Sequence, residues 1–325
     1  MKKILNLGLI GFGPWGQNIA KTINKNIKNV FLKSIYTRKL KKFNINFGKN
    51  VNLYNDWSLM LKKEQLDLVI LAMPPKLNLK ILTIILKKRI PVLIEKPLAI
   101  NLPDAKKIFQ LCKLNNSITD VNYIDLSNNA VKKLISMKPK NIKFIKAKIT
   151  SSFKGRPDSD FTPLWDYASH FIPVILKIFR KKPLAIKCEA LSINKSLPNL
   201  KRKRHLYKIE LFFKNNSKAL IVAGNGTLKK NRKMEVQTTS LAKFIYNDQN
   251  DNSLIYQGQN KSKKVLYKKK MKFPLTNSIK SFLNKVKNNK KNYEGIKLGL
   301  DVTKILSSAE KSLKKPKKNN LIYIK

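Results

Sequence analysis

Two side chains within PLWDYASHFI have the types and spacing needed to move a proton. Asp166 and His170 stand four residues apart, which places both on one face of a helix. A carboxylate there can orient an imidazole, the side chain best suited to proton transfer near neutral pH. Taken alone, the pair also fits a structural contact or two ligands of a metal site, although further metal ligands do not stand nearby.

A lysine at the end of a predicted strand is the third candidate. The apolar run Pro91–Glu95 is followed at once by Lys96 and Pro97. An ammonium group held rigidly at a strand end can stabilise a developing alkoxide, and Glu95 is placed to position the lysine or the backbone. Most lysines in so basic a chain are surface residues, and Lys96 is distinguished by its position. With Lys96 in the chain, we favour catalysis for Asp166 and His170 and predict no metal site.

A glycine-rich turn near the N-terminus predicts a phosphate-binding loop. The apolar run Ile4–Ile10 leads into GFGPWG, and a helix-compatible segment, Gln17–Lys28, follows. In such a turn the glycines permit the tight bend, the approach of a pyrophosphate and close helix packing, while free N–H groups at the helix start attract anions. A glycine turn without a ligand is the alternative, but the order of strand, turn and helix favours a dinucleotide. The predicted cofactor contacts here are Gly11, Phe12, Gly13, Trp15 and Gly16.

The end of the second predicted strand, Val30–Tyr36, bears on which dinucleotide binds. Sites for NAD usually carry an acidic residue there, which accepts a hydrogen bond from the ribose. Here Thr37 and Arg38 follow, and no carboxylate occurs between residues 29 and 55. Arg38 can pair with a 2′-phosphate and Thr37 can donate to it. NADP is therefore favoured over NAD, the alternative being that Arg38 is one more basic residue among many.

Apolar strands alternate with helical segments through the first part of the chain. Asp67–Met73 and Pro91–Glu95 are continuous apolar runs, typical of parallel strands buried on both faces. The pattern predicts an α/β protein whose N-terminal domain, residues 1–122, is a doubly wound parallel Rossmann sheet. Ligands bind beyond the carboxyl ends of such strands. That edge would carry Pro74, Glu95 and Lys96 beside the cofactor, and Asn122 and Tyr123 towards cofactor or substrate.

The remaining residues, 123–325, predict a second α/β domain for substrate binding and oligomerisation. From Leu184 the pattern changes to alternating strands separated by polar turns, which indicates a large, open, mostly antiparallel sheet with helices on one face. The last helices, at about 275–315, are expected to pack back towards the first domain. The uncovered face of the sheet predicts a homodimer or homotetramer.

The ordered set of motifs resembles the Gfo/Idh/MocA family, the relatives of glucose-fructose oxidoreductase and inositol dehydrogenase. Three motifs carry this resemblance: the glycine turn, a strand that ends in Glu-Lys-Pro, and a later Asp-x-x-x-His. The resemblance implies that Lys96 and Glu95 lie beside the nicotinamide. The likeness extends to YNDW (54–57), LVILAMPP (68–75), VLIEKPLA (92–99), PLWDYASHFI (163–172), FPLTNSIKSFLNKV (273–286) and LGLDVTKILSSAEKS (298–312).

The charge of the chain is extreme and bears on its partners. The 69 Lys and Arg residues against 18 Asp and Glu give a net charge of +51, which attracts anions of every kind. The basic residues are mostly lysine, are spread along the chain and accompany abundant Asn and Ile, as an AT-rich codon bias would produce. We therefore favour codon bias over dedicated nucleic-acid binding, which clusters its basic residues. The densest runs, such as Lys201–Arg204, are interpreted as solvated.

The cellular compartment is predicted from the cysteine content and from the absence of membrane-targeting patterns in the sequence. Two cysteines, Cys112 and Cys188, are too few for a disulfide framework, which indicates a reducing environment. The start MKKILNLGLIGF imitates a signal peptide but runs into the glycine turn, and no apolar stretch is long enough to span a membrane. A cytoplasmic protein without membrane contacts is predicted.

These residues predict an NAD(P)-dependent oxidoreductase. It would move a hydride between nicotinamide and a secondary alcohol or ketone of a sugar, sugar derivative or nucleotide sugar. Lys96 would polarise the carbonyl, His170 would act as general acid and base, and Asp166 would orient His170 or bind a neighbouring hydroxyl. A reductase of an imine or aldehyde, and a catalytically silent dinucleotide-binding protein, are the alternatives.

Overall fold

The computed structural model describes residues 4–38, 50–151, 162–192, 205–249, 252–269 and 273–324. The chain divides into two compact units. Unit 1 comprises residues 1–123 and 275–300, and unit 2 comprises residues 124–274 and 301–325. The basic run Lys201–Arg204 lies outside the described residues.

Unit 1 is built on a parallel sheet. Its strands are β1 (Leu5–Ile10), β2 (Val30–Tyr36), β3 (Asn52–Tyr54), β4 (Leu68–Leu71), β5 (Val92–Glu95) and β6 (Thr119–Asn122). In the described part of the chain they form a six-stranded sheet in the order β3-β2-β1-β4-β5-β6, with every neighbouring pair parallel. All residues of β4 and β5 are buried, as expected of strands covered on both faces. The predicted Rossmann sheet is confirmed.

Helices cover this sheet and complete its core. They are α1 (Pro14–Asn26), α2 (Trp57–Lys63), α3 (Asn78–Lys87), α4 (Leu102–Leu114) and most of α7 (Pro274–Lys287). Helix α1 begins before the predicted Gln17, because a proline at the first helical position loses no hydrogen bond. Ile19 and Ile23 of this helix share one buried cluster with Leu7 and Leu9 of β1, and Phe282 of α7 belongs to the same cluster.

Unit 2 contains the second sheet. Its strands are β7 (Ile142–Thr150), β8 (Ala185–Leu191), β9 (Leu206–Phe212), β10 (Lys218–Gly224), β11 (Asn231–Thr238), β12 (Lys243–Asn247), β13 (Ser253–Gln257), β14 (Lys263–Lys268) and β15 (Ile322–Tyr323). Among the described residues they form nine strands in the order β14-β13-β12-β11-β7-β10-β9-β8-β15. Strands β7 and β10 pair in parallel, and the other pairs are antiparallel. This confirms the predicted large, mostly antiparallel sheet.

Two helices lie on one face of this sheet. Helix α5 (Asn129–Ser136) packs near β12, β13 and β14, and α6 (Pro163–Phe179) packs on β10, β7 and β9. The apolar side chains of α6 are almost all buried, because this helix covers the centre of the sheet. A further helix, α8 (Glu294–Leu313), contributes residues 301–313 to unit 2.

The two thiols are both buried and unoxidised. Burial raises the pKa of Cys112 to about 11 and the pKa of Cys188 to about 12. Both side chains are therefore neutral at physiological pH and behave as small apolar core residues. Over the described part of the chain, no helix is both long enough and apolar enough to cross a bilayer.

Candidate functional site

The carboxyl edge of the unit 1 sheet collects the predicted cofactor residues of that unit. Because all its strands are parallel, the residues that follow them lie along one edge. Strand order places β1 between β2 and β4, so the glycine turn lies between the ends of these two neighbours. The predicted residues on this edge are Gly11–Gly16 after β1, Thr37 and Arg38 after β2, Pro74 after β4, Glu95 and Lys96 at β5, and Asn122 and Tyr123 at β6.

The three glycines of the turn differ in what their surroundings require. Gly11 has φ +107°, in the region that favours glycine, and a Cβ there would lie 2.4 Å from the carbonyl oxygen of Ala72. A Cβ on Gly16 would lie 2.0 Å from the carbonyl oxygen of Gly11. At Gly13, by contrast, a Cβ would meet nothing within 4 Å. The turn thus has two glycines fixed by backbone packing and one that faces open space, where a pyrophosphate can approach.

Helix α1 starts at this turn without a side-chain cap. Gly13 is its N-cap, and the first turn carries no acidic residue. The N–H groups of the first turn and the positive end of the helix dipole therefore suit an anion. Phe12 is buried in the core of unit 1, and Trp15 is half-buried against the same core. Both side chains hold the turn to the sheet.

Thr37 and Arg38 follow β2 as the sequence predicts. Thr37 is buried and its N–H donates to the carbonyl of Tyr54, 2.9 Å away, while Arg38 is exposed. The carboxylate of Glu64 contacts both β2 and β3. It accepts a 2.7 Å hydrogen bond from the Tyr54 hydroxyl of β3 and lies 3.7 Å from Nζ of Lys33 on β2. The hydrogen bond to Glu64 raises the pKa of Tyr54.

Glu95 and Lys96 end β5 in the predicted position. The buried Glu95 carboxylate accepts a hydrogen bond of 2.5 Å from Asn122 Nδ2. Asn122 Oδ1 in turn accepts from the Ser278 hydroxyl of α7 at 2.6 Å. Asn122 is only 1% exposed, so in the structure its amide orients Glu95, a contact that was not foreseen for it. Tyr123 is buried beside it.

In unit 2, Asp166 and His170 lie on α6 as the spacing predicts. Both are half-buried. The helix is fixed by Trp165, which is 1% exposed and whose Nε1 donates to the Glu310 carboxylate of α8 at 2.7 Å.

The carboxylate that the structure places at Nδ1 of His170 is Asp125, which sequence reasoning missed. Asp125 lies in a 3₁₀ turn, Ile124–Ser127, and its Oδ2 is 2.7 Å from His170 Nδ1. Its other oxygen, Oδ1, accepts a hydrogen bond of 2.5 Å from Nη2 of Arg232 on β11. Asp125 and Arg232 stand 45 and 62 positions from His170 along the chain, so no local spacing pattern could have joined the three residues.

A second carboxylate lies behind Arg232. Asp248 Oδ2 is 3.9 Å from Arg232 Nε, and the Asn128 amide donates to the Tyr246 hydroxyl at 3.2 Å. Burial lowers the pKa of Arg232, but the charges of Asp125 and Asp248 and the hydrogen bond to Asp125 outweigh it and raise that pKa overall. Burial, with the charges of Asp248 and Asp125, raises the pKa of Tyr246 well above its usual value. Arg232 is thus a permanent cation and Tyr246 a neutral phenol.

Comparison with known proteins agrees with this geometry. Residues 5–123 match the model of an oxidoreductase family with an NAD-binding Rossmann fold, GFO_IDH_MocA. The matched residues include all six strands of the parallel sheet of unit 1, so it is this domain that matches the family model. The family resemblance predicted from the motifs is confirmed. No curated protein matches the sequence.

Solved structures of other oxidoreductases share the fold over nearly the whole chain. A myo-inositol 2-dehydrogenase from Lactobacillus plantarum is 16% identical, with 99% of this chain and 100% of that chain covered and a TM-score of 0.81. A UDP-N-acetylglucosamine 3-dehydrogenase from Acidithiobacillus ferrooxidans is 15% identical, with 93% and 95% covered and a TM-score of 0.80. A biliverdin reductase from Synechocystis sp. PCC 6803, in complex with biliverdin and NADP+, is 18% identical, with 96% and 99% covered and a TM-score of 0.77. At these identities the likeness shows a common fold.

Proposed function

We propose that this protein is an NAD(P)-dependent oxidoreductase that interconverts a secondary alcohol and a ketone on a sugar, sugar derivative or nucleotide sugar. The observation that carries the proposal is the carboxyl edge of the unit 1 sheet. It presents an uncapped helix start beside the open space at Gly13, and on the same edge Lys96 follows β5. Anion binding and a lysine ammonium on one edge suit a dinucleotide and a developing alkoxide.

The residues present fit a dinucleotide. Gly11, Gly13 and Gly16 would hold the pyrophosphate, and Thr37 and Arg38 would contact the ribose. When bound, the nicotinamide supplies the hydride chemistry. The chain supplies charge and proton transfer, with Lys96 polarising the carbonyl oxygen, His170 accepting or donating the hydroxyl proton, and Asp166 orienting His170 or a substrate hydroxyl.

The activity is tested by binding first and turnover second. NADPH and NADH fluorescence titrations measure nucleotide affinity, and a panel of sugars, inositols and nucleotide sugars is then assayed for reduction of NADP+ or NAD+. Aldehydes, imines and biliverdin belong in the panel, since the alternative is another acceptor on the same scaffold. Failure of both nucleotides to bind would remove the proposal.

Lys96→Met should leave nucleotide affinity within about twofold and lower kcat by a factor on the order of 10² to 10³, because it deletes a charge needed mainly in the transition state. Lys87→Met is the matched control, since Lys87 is an exposed lysine on α3 of the same unit. Both variants are compared in the NADPH titration and in the turnover assay. Equal turnover of the two variants contradicts the role given to Lys96.

The preferred cofactor is proposed to be NADP. Arg38→Ala should weaken NADPH binding by about tenfold, equivalent to about 1.4 kcal/mol, while NADH binding changes little, because only NADPH carries the 2′-phosphate. Titrations at two salt concentrations separate a specific contact from the general attraction of a basic protein for anions. Equal weakening of NADH and NADPH would assign Arg38 to nonspecific electrostatics.

A further inference from the structure

Asp125 and Arg232 both contact His170, yet both lie outside the motifs that carry the family resemblance. Asp125 is 3% exposed, and its two carboxylate oxygens contact different partners. Oδ2 lies 2.7 Å from His170 Nδ1, and Oδ1 lies 2.5 Å from Arg232 Nη2. One carboxylate therefore joins the 3₁₀ turn, helix α6 and strand β11 within unit 2.

We propose that Asp125 is a positioning residue that acts on His170 through Nδ1, and that Arg232, by holding Asp125, keeps the imidazole in the tautomer protonated at Nδ1. The inference rests on the proposed function, in which His170 accepts the proton of a substrate hydroxyl. With the ring proton on Nδ1, Nε2 is the nitrogen that can accept it. An ionised carboxylate can only accept, so a contact of 2.7 Å is favourable when Nδ1 carries hydrogen.

Arg232 presents the competing possibility. Its Nη2 lies 3.0 Å from Nδ1, and an unprotonated Nδ1 could accept from it. The same nitrogen, however, has its shorter contact, 2.5 Å, with the Asp125 carboxylate, and hydrogen bonds between opposite charges are stronger than those to a neutral ring. An unprotonated Nδ1 would also place its lone pair against that of Oδ2. In the Nδ1–H tautomer, Asp125 Oδ2 accepts from the ring and Oδ1 accepts from Arg232.

Several charged groups surround the ring of His170. Asp125 favours an imidazolium, but its charge is shared with the permanent cation Arg232. The other ionisable groups of the cluster are Asp248 and Tyr246 behind Arg232, and Asp166 one turn earlier on α6. During alcohol oxidation the O–H bond breaks and its proton passes to Nε2. The resulting imidazolium is then stabilised by Asp125 through Nδ1–H.

Tautomers can be measured without a substrate. The chain has two histidines, so His205→Gln leaves His170 as the sole imidazole. In ¹⁵N-histidine-labelled protein, long-range ¹H–¹⁵N correlation spectra identify which ring nitrogen carries the proton. The expected result for this parent protein at a pH where the ring is neutral is protonation at Nδ1. Protonation at Nε2 overturns the proposal.

The decisive variant is Asp125→Asn, which preserves size. With the amide oxygen bound to Arg232, the amide NH₂ would face Nδ1 and donate to it, moving the ring proton to Nε2. The matched control is Asp248→Asn, which removes the other carboxylate beside Arg232 and should keep the Nδ1–H tautomer. A purely structural role for Asp125 predicts the same tautomer in both variants, and that result overturns the proposal.

Activity provides the second readout once a substrate is found. Asp125→Asn should lower kcat by a factor on the order of 10³ to 10⁴ with little change in KM, because the ring carries its proton on the wrong nitrogen. If the tautomer changes as expected but neither nucleotide binds, the positioning role stands and the proposed function fails. If nucleotides bind and turnover occurs but the tautomer is unchanged in Asp125→Asn, the proposed function stands and the positioning role fails.

Discussion

At the scale of single residues, the glycine turn separates structural from ligand-binding roles. Gly16 and Gly13 lie three residues apart at the start of one helix, yet their environments are opposite. A side chain at Gly16 meets the backbone of Gly11, which cannot move aside, whereas a side chain at Gly13 meets open space. Gly13 has φ −67°, which any residue adopts without strain. The sequence motif alone gives both positions the same weight.

Gly16→Ala and Gly13→Ala should therefore fail in different ways. Gly16→Ala should lower the free energy of unfolding by about 2 kcal/mol or more, as overpacking against fixed backbone does. Gly13→Ala should fold with near-normal stability but bind NADPH at least about tenfold more weakly, because its methyl group occupies the space proposed for the pyrophosphate. Urea unfolding and NADPH titration of both variants measure the two effects. Normal NADPH affinity in Gly13→Ala would contradict the assigned binding position.

At the scale of elements, one hydroxyl joins three segments of unit 2. Ser312 near the end of α8 is fully buried, and its Oγ accepts from Cys188 N–H of β8 at 2.8 Å. It also donates to the Asn320 carbonyl at 2.5 Å, two residues before β15, which pairs with β8. The helix end, the sheet and the terminal strand are thus fixed together by a single side chain.

Ser312→Ala should cost about 2 kcal/mol of stability, because it leaves a buried N–H and a buried carbonyl without this partner. The control is Ser307→Ala on the same helix, where the half-buried serine can be replaced by a better helix former at little cost. The two unfolding midpoints in urea are compared directly. Matching midpoints would show that the hydroxyl does not stabilise the terminal strand.

The elements that the sequence predicted well are those with local signals. Asp56 caps α2 by accepting from Ser58 N–H at 2.7 Å, as its position before the helix indicated. The continuous apolar runs of β4 and β5 specified buried parallel strands. Contacts between distant segments carry no such signal. The two-residue β15 is too short for a pattern, and Asp125 and Arg232 are joined to His170 only by the folding of unit 2.

Scarcity of acidic residues offers the one sequence clue that could have pointed to Asp125. The chain has 18 Asp and Glu residues against 69 Lys and Arg, so an acidic residue between apolar neighbours indicates a specific role for that carboxylate. Asp125 stands between Ile124 and Leu126, three residues after the end of β6. Arg232 similarly is an arginine in a chain whose cations are mostly lysine, and arginine suits buried pairing with carboxylates.

At the scale of the whole molecule, the face of the unit 2 sheet opposite α5 and α6 mixes charge with apolar surface. Lys187 and Glu189 lie 3.2 Å apart on β8, and Lys208 and Glu210 lie 3.5 Å apart on β9. On β10 the half-buried Leu220 and Val222 alternate with buried residues. Apolar side chains beside ion pairs suit a contact with a second copy of the chain. The proposal of a homodimer or homotetramer therefore centres on β10.

Val222→Lys should disrupt that assembly. Val222 lies opposite Lys208 on β9 and Lys148 on β7, so a third lysine there adds like-charge repulsion as well as removing apolar surface. Light scattering and sedimentation velocity should report a fall in mass towards the monomer. Leu228→Lys adds the same charge at a residue that is 69% exposed and outside the sheet, and should leave the mass unchanged. NADPH affinity should be the same in both variants, since unit 1 is untouched. A monomeric parent protein, or an unaltered mass in Val222→Lys, would rule out association through β10.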